Sequence, residues 1–213
     1  MLIKYYKSLV KKMITIRTSL SFIFLLINSL VFANTYYVSP TGTDGPYPTR
    51  GTFENPWKTW HYAFNNVTPS DTVYFRGGVY SAYSTSIGVR LTDTGSDGTH
   101  DKPTCFFAYP SDYAVGNYPI MDCQNMTNTD YQLGIFLRGC NNLHLKGLTV
   151  RNLRQSISST EVHGFIASLW TSAITEAPNN IIFENCIAYN MGMYGFSAGG
   201  ADTVYFINCD AYN

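Results

Sequence analysis

Charge is scarce in this chain. Only 13% of its 213 residues are Asp, Glu, Lys or Arg, and acidic and basic residues balance at 14 each. No basic surplus exists to hold a nucleic acid, which proteins recognise through its phosphates. The four histidines, His61, His100, His144 and His163, form no metal-spaced pair. Five cysteines, an odd number without a CxxC pair, speak against a disulfide framework and a zinc site alike. No nucleophile elbow, phosphate-binding loop or dinucleotide fingerprint occurs. The main apolar run, Phe22 to Phe32, is too short for a comfortable membrane span.

That apolar run belongs to a segment of its own kind. Lys4, Lys7, Lys11, Lys12 and Arg17 precede it with no acid among them, and Val31-Phe32-Ala33 places small residues where signal peptidase needs them. A signal peptide over 1–33 is predicted, with cleavage before Asn34 and a secreted or cell-surface product that keeps no membrane span. No cysteine follows the cleavage point, so no lipoprotein anchor is expected. The basic stretch is long, and Met13 would open a leader of ordinary proportions, so the start is Met1 or Met13. From Asn34 onward nine basic residues face fourteen acidic ones, a net charge of −5.

What the chain does contain is a repeat. Three segments align without gaps: Asn142 to Asn152, Asn180 to Asn190 and Thr203 to Asn213. Strand-like residues at a period in the low twenties mean a solenoid, in which each turn buries its apolar face against its neighbours. Apolar or small residues recur at Leu143/Ile181/Val204, Leu145/Phe183/Phe206, Leu148/Cys186/Cys209 and Val150/Ala188/Ala211, which predicts inward stacks. The intervening set, His144/Ile182/Tyr205, Lys146/Glu184/Ile207, Thr149/Ile187/Asp210 and Arg151/Tyr189/Tyr212, reads as the outer wall. Alternation skips a beat at Gly147/Asn185/Asn208, as a bend between two strands requires. Asn152/Asn190/Asn213 reads as an asparagine ladder, since Asn tolerates left-handed backbone and can bond its copy one turn away. Upstream, Gly134-Ile-Phe, Gly164-Phe-Ile and Gly195-Phe-Ser are equivalent, and the middle turn carries extra residues on both sides of Gly164. The predicted fold is all-β: a right-handed parallel β-helix. Cys186 and Cys209 share one inward ladder and read as stacked, buried hydrophobes rather than as a disulfide.

Residues 34–118 are less regular and are assigned to an N-terminal cap and first turns, with 119–213 as the regular turns. Asn55-Pro56 reads as the start of a short helix carrying Trp57, Trp60, His61 and Phe64 on one face, a cap for the open end of the solenoid. Ser70 to Tyr80 reads as strand, glycine turn and strand.

At this point the sequence resembles a known family. Tyr37-Val-Ser-Pro-Thr-Gly-Thr-Asp, Asn55-Pro-Trp-Lys-Thr, Asp71-Thr-Val-Tyr-Phe-Arg-Gly-Gly-Val-Tyr, Pro119-Ile-Met-Asp, Gly147-Leu-Thr-Val-Arg-Asn and Asn208-Cys-Asp-Ala-Tyr-Asn are similar to segments of secreted bacterial β-helix proteins, in particular the pectate lyases of polysaccharide lyase family nine. The resemblance implies β-elimination across the glycosidic bond of polygalacturonate or a related acidic polysaccharide from plants or microbes, by a protein expected to be a monomer. A calcium ion would neutralise the uronate carboxylate, and a lysine would take the C5 proton. The family's paired acidic segments that hold calcium are not found here, and the repeat breaks off at Asn213. The chain is therefore expected to be an N-terminal part of a longer protein and inactive alone, with calcium bound elsewhere. A non-catalytic β-helix adhesin or carbohydrate-binding module, and a glycoside hydrolase on the same scaffold, are the alternatives.

No catalytic residue is assigned on this reading. Asp210, the one acid on the outer wall of the last aligned segment, is the candidate to flank a metal, but calcium takes 6–8 oxygens and one carboxylate is not a site. Asp71 and Asp202 are isolated from other acids, and the Asp93/Asp97/Asp101 stretch reads as a polar loop. Lys146, His144 and Arg151 could together face a uronate, though alternating charge is what an exposed strand shows anyway.

Overall fold

The computed structural model describes residues 33–82, 87–92, 97–126, 131–154, 161–169 and 176–213. The predicted leader up to Phe32, Asp93, and the segments 155–160 and 170–175 flanking the Gly164 strand lie outside them. The described residues form fifteen strands and two short helices. First come β1 (Thr35–Val38), α1 (Trp60–Asn65), β2 (Thr72–Phe75), β3 (Gly78–Ser81) and β4 (Ile87–Thr92). They are followed by β5 (Thr104–Ala108), α2 (Pro110–Ala114), β6 (Pro119–Asp122) and β7 (Tyr131–Arg138). One further turn holds β8 (Asn141–Lys146), β9 (Thr149–Leu153) and β10 (Glu161–Ser168), and the next β11 (Asn179–Glu184), β12 (Ile187–Met191) and β13 (Tyr194–Gly199). The last strands are β14 (Val204–Ile207) and β15 (Asp210–Tyr212).

Every named strand pairs in parallel with its equivalent one turn away. Three sheets result, ordered β1-β2-β5-β8-β11-β14, β3-β6-β9-β12-β15 and β4-β7-β10-β13. This is the predicted parallel β-helix, and its registers are those of the sequence ladders. Leu143 pairs with Ile181 and Ile181 with Val204, while Val150 pairs with Ala188 and Ala188 with Ala211. Leu143, Leu145, Leu148, Val150, Ile181, Phe183, Cys186 and Ala188 are fully buried, as an inward stack must be. Aromatic rings continue the stack: Phe183 lies parallel to Phe206 at 5.4 Å, and Phe165 to Phe196 at 4.9 Å.

The bends follow the residues that permit them. Asn185 and Asn208 have φ of 52° and 50°, and Gly147 in the same column has φ of 70°. Asn152 and Asn190 sit at 63° and 54°, where Asn is tolerated because its short polar side chain can bond locally. The Asn190 side-chain amide donates to Asn152 Oδ1 at 3.0 Å, and Asn213 Oδ1 accepts from the Met191 N–H at 2.8 Å. A second ladder stands at the segment starts, where Asn180 Nδ2 donates to Asn142 Oδ1 at 2.8 Å.

Three sequence expectations are corrected. Helix α1 begins at Trp60, capped by Thr59, whose Oγ1 accepts from the Tyr62 N–H. Asp44 in turn accepts from the backbone of Lys58 and Thr59, which fixes the cap, so Asn55-Pro56 lies outside the helix. Trp57 is bridged to Val38 and stacks on Tyr36, while His61 is exposed; the buried face of α1 is Trp60, Ala63 and Phe64. Phe64 stacks on Phe106 at 4.0 Å, and Trp60 meets Phe75 at 4.6 Å. Thr149, read as outer wall, is buried: its register neighbours Ile120 and Ile187 make this column an apolar strip on the outside of the sheet.

Candidate functional site on the four-stranded sheet

Period-two strands on a solenoid leave one side chain in two facing outward, so each sheet offers a face where residues from successive turns meet. On the sheet β4-β7-β10-β13, the central strands β7 and β10 are buried along nearly their whole length. Leu133, Phe136 and Ile166 form a hydrophobic cluster separate from the main core, with Tyr131 against it. Polar residues of β10 and β13 continue this face. A cleft of about 370 Å³ is lined there by Glu161, His163, Ile166, Ser168, Tyr194 and Ser197.

Its centre is a hydrogen-bonded row. His163 Nε2 lies 2.6 Å from Glu161 Oε2, and His163 Nδ1 lies 2.6 Å from Ser197 Oγ. In the neutral tautomer with its proton on Nε2, the imidazole donates to the Glu161 carboxylate and accepts the Ser197 hydroxyl at Nδ1. His163 is 6% exposed, whereas the Glu161 side chain is 42% exposed and opens the row to solvent. Tyr194 stacks on the imidazole at 5.0 Å and is itself half exposed. A serine oxygen hydrogen-bonded to a histidine that a carboxylate orients can accept or release a proton. An exposed tyrosine ring beside it offers a flat apolar surface.

Two glycines lie beside this row. Gly164 falls between the register pairs His163↔Tyr194 and Phe165↔Phe196, beside Gly195. A Cβ on Gly164 would lie 2.6 Å from the Gly195 carbonyl oxygen and 3.2 Å from the Ala188 Cβ. Both positions are thus closed to a side chain, while the parallel pairing of β10 with β13 sets His163 beside Tyr194 and Ile166 beside Ser197.

The residues singled out in the sequence do not converge on this face. His144 and Lys146 share β8 on the six-stranded sheet, and both are committed to Glu184 of the next turn: Nε2 to Oε2 at 2.9 Å and Nζ to Oε1 at 2.7 Å. Lys146 foremost, then His144, holds the Glu184 carboxyl below its usual range, and burial lowers the His144 pKa. Arg151 is on a different sheet, bound to Asp122 through Nε and a second guanidinium nitrogen at 2.8 and 2.7 Å, and to the Tyr189 hydroxyl at 3.0 Å. The three do not form one uronate site. Asp210 is exposed on β15, Asp202 is exposed, and Asp71 is fully buried. Asp101 is exposed in a turn. Among the described residues no three His, Cys, Asp or Glu side chains come together as a metal site, so these residues do not fit a calcium ion. All five cysteines are free, and Cys186 and Cys209 lie within hydrogen-bonding reach of each other.

Glu161, His163 and Ser197 were not readable as a site, since 34 residues separate the histidine from the serine. The signal was nevertheless present in the equivalence of Gly164 and Gly195. It places the residue before each glycine, His163 and Tyr194, side by side one turn apart.

Residues 36–213 match the model described as "Pel9A-like, right handed beta helix region". The chain belongs to this Pel9A-like family. Of the solved structures, a rhamnogalacturonan lyase superposes with a TM-score of 0.52 at 18% identity, over 83% of this chain and 56% of that one. The pectate lyase Pel9A gives a TM-score of 0.49 at 15% identity, over 76% of this chain and 35% of that one. This chain thus spans about half the length of the first and a third of the second. At such identity the superposition speaks for the fold. No curated protein matches. The family model describes a right-handed β-helix, the fold that the strand pairing shows. Among the described residues, no helix is long and apolar enough to cross a membrane.

Proposed function

We propose that this chain is the β-helix scaffold of an exported polysaccharide lyase that cleaves pectate or a related polyuronate by calcium-assisted β-elimination. Membership of the Pel9A-like family over 36–213 carries the reading. The saccharide is proposed to lie along the sheet β4-β7-β10-β13, with Tyr194 under a sugar ring and Glu161, His163 and Ser197 bonding its hydroxyls. The described residues do not assemble a cage for calcium, so the cation and the base that takes the C5 proton are proposed to be supplied outside them.

A titration of the exported protein with oligogalacturonides, read by tryptophan fluorescence or calorimetry, tests the groove. Truncating a stacking residue typically costs about 1–2 kcal/mol, so Tyr194→Ala is expected to weaken binding roughly 5- to 30-fold. Unchanged affinity for both Tyr194→Ala and His163→Ala would place the saccharide elsewhere. Release of an ultraviolet-absorbing unsaturated uronide on adding calcium separates a lyase from a β-helix that only binds.

A further inference from the structure

Asp71 immediately precedes β2 and is 0% exposed, yet every partner it has in the described structure is a neutral donor. Its Oδ1 accepts the Asn34 N–H at 2.7 Å, and its Oδ2 accepts the Thr68 N–H at 2.7 Å and the Thr68 hydroxyl at 2.8 Å. Tyr36 also bonds to it; burial and then the Asp71 charge push the phenol up to about 12. Among the described residues no Lys, Arg or His side chain forms an ion pair with Asp71. A buried carboxylate is costly unless a cation and hydrogen bonds compensate it. The fold thus buries a carboxyl group just before β2, against the residue that leads into β1, with no cationic side chain paired to it among the described residues.

The counter-charge is one hydrolysis away. Ala33 is exposed, and the bond joining it to Asn34 is where the sequence predicts the leader to be cut. Hydrolysis breaks that C–N bond and adds one water, leaving a carboxylate on the departing Ala33 and an ammonium on Asn34. The nitrogen that gains the charge already lies 2.7 Å from Asp71 Oδ1. It is also held on its other side, because the Asn34 carbonyl accepts the Thr72 N–H at 2.9 Å and Thr35 is in register with Thr72.

We propose that leader removal before Asn34 converts this contact into a partly buried ion pair between the Asn34 α-ammonium and the Asp71 carboxylate, clamping β1 onto β2. The exported form is then more stable than its precursor, and the clamp is specific for a chain that begins at Asn34. This rests on the export reading but not on the lyase reading.

The test has two arms. The first is the intact mass of the protein recovered after export in a bacterial host. A chain beginning at Asn34 is expected; any other first residue overturns the processing and the clamp with it. The second arm uses the chain from Asn34 onward, which falls within the single compact unit Ala33–Asn213. It is produced from a fusion whose removal leaves Asn34 first, and compared with the same chain α-N-acetylated. Acetylation keeps a neutral amide contact and removes its charge, a difference that shifts Tm by roughly 2–6 °C for a domain of this size. The free amine is therefore expected to melt higher than the acetylated chain by about 2 °C or more, and Asp71→Asn is expected to abolish the difference. Acetylation leaves the sequence intact, so this comparison decides even where Asp71→Asn does not fold. Equal melting of the free and acetylated chains would overturn the ion pair while leaving export untouched.

Discussion

Shortening Phe183 to Ala measures the inward aromatic ladder directly. Its ring is fully buried, parallel to Phe206 at 5.4 Å and edge-on to Phe165 at 5.6 Å. A buried aromatic side chain removes about 150–250 Å² from water, and at ~25 cal/mol per Å² that is roughly 4–6 kcal/mol for the whole ring. Alanine keeps part of it, and the hole left behind costs more, so Phe183→Ala should destabilise by about 3–5 kcal/mol. Phe206 occupies the same ladder one turn later but is 41% exposed. The same substitution there removes roughly half the buried area and leaves no closed cavity, so about 1.5–2.5 kcal/mol is expected. For a domain of this size the two variants should lose roughly 6–20 °C and 3–10 °C in Tm. Urea unfolding followed by both far-ultraviolet ellipticity and tyrosine and tryptophan fluorescence is the assay. The two signals must coincide, because repeat folds can lose cooperativity along their length. Equal losses at the two positions, or a loss below about 1.5 kcal/mol for Phe183→Ala, would refute the stacked-core account.

Acid should weaken the fold in two stages. Burial lowers the His144 pKa, so its contribution is complete above the usual value near 6.5 and is lost as pH falls through the depressed one. The carboxyls of Asp112, Glu184 and Asp122 are also lowered, the first two chiefly by Arg76 and Lys146, and Asp122 by Asn152, the Gln124 N–H and Arg151 against the opposing effect of burial. Their contribution is present above roughly pH 4 and lost as pH falls through their lower folded values. Urea midpoints measured between pH 8 and 3 should therefore fall in both windows, and a midpoint that rises on acidification would contradict the assignment. Among the thiols, Cys209 is half-buried and the hydrogen bond from Cys186 lowers its pKa, while burial raises Cys105, Cys123 and Cys186. Alkylation of the folded protein near neutral pH, mapped by peptide mass, should label Cys209 first; earlier labelling of Cys123 would show that the core is not closed around it.

The β-helix was readable because its rule is local and repeated. Leu145, Phe183 and Phe206 recur at one phase of a period-two pattern, and each turn states the rule again. The bends were readable for the same reason: Asn152, Asn190, Asn185 and Asn208 are residues that adopt positive φ, and they do. The helix start was misjudged at Asn55 because its cap is tertiary. Asp44, 15 residues before Thr59, fixes that turn, and no local pattern announces it. Lys146 and His144 looked available for a ligand only while Glu184 was counted as a neighbour in a column rather than as their partner.

The sequence by itself determined the strand period and the inward ladders, because backbone geometry and the burial of apolar side chains act on residues close in the chain. Only the tertiary structure decided which polar side chains meet. Glu161 and His163 lie on one turn and Ser197 on the next, and their contact depends on the register in which β13 pairs with β10. Asn34 and Asp71 are 37 residues apart, brought together by the pairing of β1 with β2. Hydrogen bonds and ion pairs reach only a few ångströms, so they are settled by the register between turns and not by the pattern within one.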